Sequence, residues 1–125
     1  MAKELKLVLK KKWYDMIASG QKKEEYRAIT RYWFRRIVED GAWVSYDSYS
    51  YQMSRRKKGP YSEAHGCRHD TVTFYLGYAK DRPSMTFKIN DLLMGNIGRP
   101  EWGAPANGEY FIIKLGERLM SASPG

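Results

Sequence analysis

"LVLKKKWYDMIASGQKKEEYRAITRYWFRRI", residues 7–37, changes its hydrophobic period several times, and those changes decide the fold. Around its start, Leu5, Leu7 and Leu9 alternate with charged or branched neighbours, which predicts a strand over residues 4–9 with one face on the core. Leu9, Trp13, Met16 and Ile17 then fall at helical spacing. Gly20 stands where a left-handed cap ends a helix, so residues 11–19 are expected to be helical. Residues 22–29 admit two assignments: a strand puts Glu25 and Arg27 on one face, whereas a helix makes Lys22 a neighbour of Tyr26. We take the strand. Thr30 is suited to cap a second helix through about Val38, with Trp33, Phe34, Ile37 and Val38 as its apolar face. Arg31, Arg35 and Arg36 stay outside, and Gly41 is its expected stop.

Further on, residues 43–51, "WVSYDSYSY", read as a tyrosine-rich strand, and residues 52–69 as a basic surface excursion interrupted by Gly-Pro. Val72, Phe74 and Leu76 alternate with Thr71, Thr73 and Tyr75, and Met85, Phe87 and Ile89 with Thr86 and Lys88. Tyr110 to Leu115 form an almost continuous apolar run. These predict three strands. Between the last two, "GNIGRPEWGAPANG" surrounds Trp102 with Gly and Pro, the composition of a long structured loop. A single domain over residues 1–118 with a frayed tail at 119–125 is expected, of α+β class, built on a small, strongly bent sheet or barrel with two short N-terminal helices.

The whole chain agrees with one core. It has 125 residues, is 42% hydrophobic and 14% aromatic, and includes ten Tyr and four Trp. Lys and Arg number 22 against 14 Asp and Glu, a formal charge of +8 that favours polyanionic partners, nucleic acid first. No apolar run approaches ~18 residues and no lipidation signature is visible, so no membrane partner is expected. The start lacks a signal-peptide pattern, which makes a cytoplasmic protein the expectation. One cysteine, Cys67, excludes an internal disulfide.

Gly20, Lys22, Glu25 and Arg27 fit the spacing G-x-K-x-x-E-x-R, and here the chain resembles the ASCH domain family. The resemblance extends to residues 7–37 and to the strands "DTVTFYLGY" and "PEWGAPANGEYFIIKLG", but not to residues 47–69. It implies a PUA-like β-barrel, similar to modules that accompany RNA-modifying enzymes, and a function in binding RNA or nucleotides; no cofactor is expected. Some small ASCH proteins are amidohydrolases that remove an acyl group from a modified cytidine, or ribonucleases. In the amidohydrolase type a threonine stands at the position matching Glu25, so the acyl-transfer mechanism does not carry over to this chain.

Lys22, Glu25 and Arg27 could form a concave polar site in which Arg27 grips a phosphate or base edge and Lys22 supplies a compact charge. Glu25 could accept from an exocyclic amine or act as a base. An ion network that merely anchors a strand is the plainer reading. Tyr26, Tyr75, Tyr78 and Trp102 are the candidate stacking aromatics, whereas Trp13 and Trp33 sit at core spacing. Arg55, Arg56, Lys57 and Lys58 could hold phosphates without sequence preference, or simply be solvated. His65, Cys67 and His69 alternate beside Glu63 and Asp70, but the spacing matches no common zinc framework, and no metal site is expected. RNA, single-stranded nucleic acid or a nucleotide is thus the expected partner. The alternatives are a small hydrolase using Lys22 and Glu25 as an acid/base pair, and an adaptor that binds an acidic protein.

Overall fold

The computed structural model describes residues 4–38 and 67–119, together with the backbone of 61–63. The chain enters as strand β1 (Glu4–Leu9) and turns directly into helix α1 (Lys11–Ala18). Strand β2 (Glu24–Ala28) and helix α2 (Arg31–Ile37) follow, then strands β3 (Tyr61–Glu63), β4 (Thr71–Leu76), β5 (Ser84–Gly95) and β6 (Tyr110–Leu119).

The local reasons are those of the sequence. Leu5, Leu7 and Leu9 are buried on one face of β1. Helix α1 has no side-chain N-cap and carries Lys10, Lys11 and Lys12 at its positive end, so its own electrostatics oppose it. Burial of Tyr14 and Ile17 holds it in place. It stops at Gly20, whose φ of 84° is the left-handed conformation the cap requires, with the Gly20 amide bonded to the Ile17 carbonyl. Thr30 caps α2 by accepting from the Trp33 amide at 3.2 Å. Phe34 and Ile37 point into the core while Arg31, Arg35 and Arg36 remain exposed.

All six strands join one mixed sheet in the order β1-β4-β5-β6-β2, with β3 added to β5 on the same edge as β4. The β1–β4 pair is parallel and the others are antiparallel. The sheet is curled. Its two end strands approach where the Arg27 guanidinium reaches the Val8 carbonyl at 3.5 Å, the outer limit of a hydrogen bond. Among the described residues no ladder joins β1 to β2, so the domain is a small α+β fold with an open seam.

The first part of strand β6, Tyr110 to Ile113, is buried on both faces, which is why its sequence is an apolar run rather than an alternation. Phe111 and Ile113 face the main core with β1, β4 and the helices. Tyr110 and Ile112 face a second cluster with Tyr26 and Leu93, covered by Trp102 and Ala104.

Three expectations change. Strand β5 runs on to Gly95, beyond the stretch expected to end near Ile89, because register shifts around Asn90 let Leu92, Leu93 and Met94 rejoin the ladder. The presumed excursion at 52–69 contains β3, and Cys67 bridges Val38. Strand β6 extends to Leu119, one residue beyond the expected domain end. The tyrosine-rich strand at 43–51, Gly41, Arg55, Arg56, Lys57, Lys58 and His65 lie outside the described residues. No helix among the described residues is long and apolar enough to cross a membrane.

Candidate functional site

The end of α1 and the edge strand β2 together place the three charges of the motif. After Gly20 turns the chain, the Lys22 amide bonds back to the Met16 carbonyl at 2.9 Å, which fixes Lys22 beneath the start of β2. In β2, Glu25 and Arg27 stand opposite Ile113 and Phe111 of β6, so both side chains share the face of the main core. They emerge at the seam.

There the three groups meet. Glu25 Oε1 lies 3.2 Å from Lys22 Nζ, and its Oε2 accepts from Arg27 Nη2 at 2.7 Å. The side chains are 1%, 9% and 18% exposed for Lys22, Glu25 and Arg27. Lys22 also donates to the Trp102 carbonyl and lies against the rings of Tyr26 (4.8 Å) and Trp13 (5.2 Å). Burial pushes the Lys22 ammonium below its ordinary value, and Glu25 only partly restores it.

Beside this triad a cavity of about 250 Å³ opens at the seam. Val8, Leu9, Lys10 and Trp13 line it from β1 and α1, Glu25, Tyr26 and Arg27 from β2, and Trp102 and Gly103 from the loop. Lys22 is not in the lining. It works from beneath, holding Glu25 and the Trp102 backbone in position.

The loop that forms the far wall is fastened by tyrosines. Tyr26 and Tyr110 accept through their hydroxyls from the consecutive amides of Arg99 and Gly98, at 3.0 and 2.9 Å. The Tyr26 hydroxyl in turn donates to Glu24 at 2.8 Å, and burial raises its phenol above the ordinary value. Gly98 is required by close approach, because a Cβ there would lie 2.6 Å from the Tyr26 ring. A single 3-10 turn, Pro100–Trp102, ends at Gly103, whose φ of 96° lets the backbone pack on the Trp13 ring.

The electrostatics of the cavity are positive. Two cations share one carboxylate in the triad, Lys10 is in the lining, and Lys12 sits 4.7 Å from the Trp13 ring. Among the described residues, the buried Arg27 Nε has no hydrogen-bond acceptor. Such an N–H usually finds one, since leaving it unmet costs about 1–3 kcal/mol.

The expected site is therefore brought together in part. Lys22, Glu25 and Arg27 converge, and Tyr26 and Trp102 reach the cavity. Tyr26 is largely buried in the second cluster, so Trp13 and Trp102 supply the half-buried ring surface. Tyr75 lies under Arg82 on β4, and Tyr78 is exposed beyond that strand; neither lines the cavity. Cys67 and His69 clamp the end of α2: Cys67 bridges Val38, and His69 Nε2 meets the Arg36 carbonyl.

Trp13, Lys10 and Gly103 were not foreseen as site residues. Trp13 was hidden by its helical spacing, which identifies a buried side but not a side that is partly open at a seam. Compared with protein-family models, with curated proteins and with solved structures, the chain gives no significant match.

Proposed function

We propose that this chain is an RNA- or nucleotide-binding domain of the ASCH type, with a PUA-like barrel architecture, that takes one nucleotide of its ligand into the seam cavity. The observation that carries the reading is the charge of the triad: two cations, Lys22 and Arg27, share the one carboxylate of Glu25, and Arg27 stands in the lining of the cavity. A phosphate supplies the missing negative charge, and the part of the guanidinium that faces the cavity offers it the planar donor edge that phosphates favour. Trp13 and Trp102 add ring surface for a base. The volume of about 250 Å³ is below the usual range for drug-sized ligands, so the cavity has room for part of one nucleotide, with the rest lying in the open seam, and none for a folded RNA element.

The hydrolase alternative has weaker support. Both Glu25 oxygens are engaged by cations, and Lys22 is sealed off from the cavity by Glu25, Trp102 and two rings. A general base or acid needs reach to the reacting proton.

Titration of tryptophan fluorescence with ribonucleoside 5′-monophosphates and the matching nucleosides tests the proposal. The monophosphates should bind more tightly than the nucleosides. Arg27→Lys, which keeps the charge but removes the planar donor edge, should weaken them about tenfold or more. No binding by the unmodified protein, or equal binding by the variant, overturns the reading. Chemical conversion of the added nucleotide would put the hydrolase first.

A further inference from the structure

From the cavity, a run of contacts between guanidinium groups and aromatic rings leads outward along α2. The Arg27 guanidinium carbon lies 5.0 Å from the Trp33 ring, Trp33 meets Tyr32 edge to face at 4.8 Å, and Arg36 lies 5.2 Å from the Tyr32 ring. Tyr32 is 59% exposed and leaves ring surface open to solvent beside these cations.

The same surface is basic throughout. From Ala28 to Val38 the chain has no acidic residue, and Arg31, Arg35 and Arg36 are all exposed on α2. Among the described residues no carboxylate pairs with Arg35 or Arg36; Glu39 and Asp40, next in sequence, lie outside them. Basic residues in a last turn ordinarily offset the helix dipole. Here that end is met from elsewhere as well: Arg68 donates to the Arg35 carbonyl at 3.0 Å and its amide to Ile37 at 2.7 Å, while His69 meets the Arg36 carbonyl. The added guanidinium leaves α2 with more positive charge than its own carbonyls call for.

We propose that the outer face of α2 is a track for the nucleotides that flank the one in the cavity, with Tyr32 stacking a base and Arg35 and Arg36 holding phosphates of a single strand. The proposal rests on the cavity reading for its starting point, and it assigns a partner longer than a mononucleotide. Interleaved rings and guanidinium groups are what single-stranded nucleic acid uses, since every base has a stacking face and every linkage a charge. An acidic peptide would be drawn by the charges but would make no particular use of Tyr32.

The test is fluorescence anisotropy with a labelled eight-nucleotide single-stranded RNA at several salt concentrations. Wild type is compared with Tyr32→Ala and with the double variant Arg35→Ala/Arg36→Ala, all at exposed positions, with folding checked by thermal melts. Tyr32→Ala should weaken RNA binding about fivefold or more at every salt concentration. The double variant should lower the slope of log affinity against log salt by about 1.4, the value for two phosphate contacts on a single strand. Mononucleotide binding should be unchanged in both. Oligonucleotide affinity and slope equal to wild type in both variants overturn the track while leaving the cavity reading intact. RNA binding that depends on α2, without mononucleotide binding, overturns the cavity reading and supports the surface alone. If only the arginines matter and polyglutamate competes as well as RNA, the surface binds acidic protein and the proposal is wrong.

Discussion

Replacing Glu25 with Gln removes one charge from the triad and almost no volume, and its effect can be worked from the distances. Contacts of 3.2 Å to Lys22 and 2.7 Å to Arg27 correspond to about 5 and 6 kcal/mol of attraction at an effective dielectric of about 20, before desolvation is counted. Desolvation of the buried Lys22 and Glu25, and in part of Arg27, offsets much of that. Breaking a buried pair by removing one partner nonetheless costs roughly 3–5 kcal/mol, because the other charge stays buried and unmatched. Here two cations are left, while the Gln carbonyl can still accept from one. A loss of about 3 kcal/mol is expected, a large part of the usual 5–15 kcal/mol for a domain. For a chain of this size it corresponds to a fall in Tm of roughly 10 °C. Urea melts followed by tryptophan fluorescence measure it, with Trp13 and Trp102 lying beside the triad. The double variant Lys22→Met/Glu25→Gln should recover about 1 kcal/mol or more, since it removes the stranded ammonium together with its counter-charge. A loss below about 1 kcal/mol in Glu25→Gln, with no recovery in the double variant, would refute the view that Glu25 balances the two cations.

Lys22 should also leave a signature in alkaline solution. Its folded value lies below the ordinary 10.5, so between those two values the unfolded chain binds more protons and stability rises with pH. The stability of wild type relative to Lys22→Met should accordingly increase from pH 8 toward pH 10.5 in urea melts; a flat difference would contradict the burial of a charged ammonium. Gly98→Ala should cost about 1–3 kcal/mol in the same melts, since its Cβ would press to 2.6 Å on a buried tyrosine ring. It should also loosen the cavity wall and weaken mononucleotide binding, and wild-type behaviour in both measurements would show that the loop moves aside freely.

Much of the architecture was legible because period reports on burial. Leu5, Leu7 and Leu9 declared a one-sided strand, the apolar run from Tyr110 a further strand, and Thr30 and Gly20 marked helix ends through their own chemistry. Strand β5 was read only halfway, because the irregularity at Asn90 breaks the alternation that makes a strand visible. Strand β3 was missed for a different reason: it is three residues long and sits in a polar context, where its pairing with Leu93–Gly95 leaves no pattern in its own residues.

The candidate site divides in the same way. Sequence by itself determined that Glu25 and Arg27 share one face once residues 22–29 are taken as a strand, and offered Lys22 as a third member of the site; the turn that bonds the Lys22 amide to Met16 is what brings it there. Only the tertiary structure decided that Lys22 lies under the site rather than in it, that Trp13 belongs to the cavity, and that the loop at Trp102 forms its far wall. Those outcomes depend on bonds that span 80 residues from Lys22 to Trp102 and 73 from Tyr26 to Arg99. Local propensity acts over a few residues, whereas such contacts are selected by the curl of the sheet, which brings the edge of β1 round to the edge of β2.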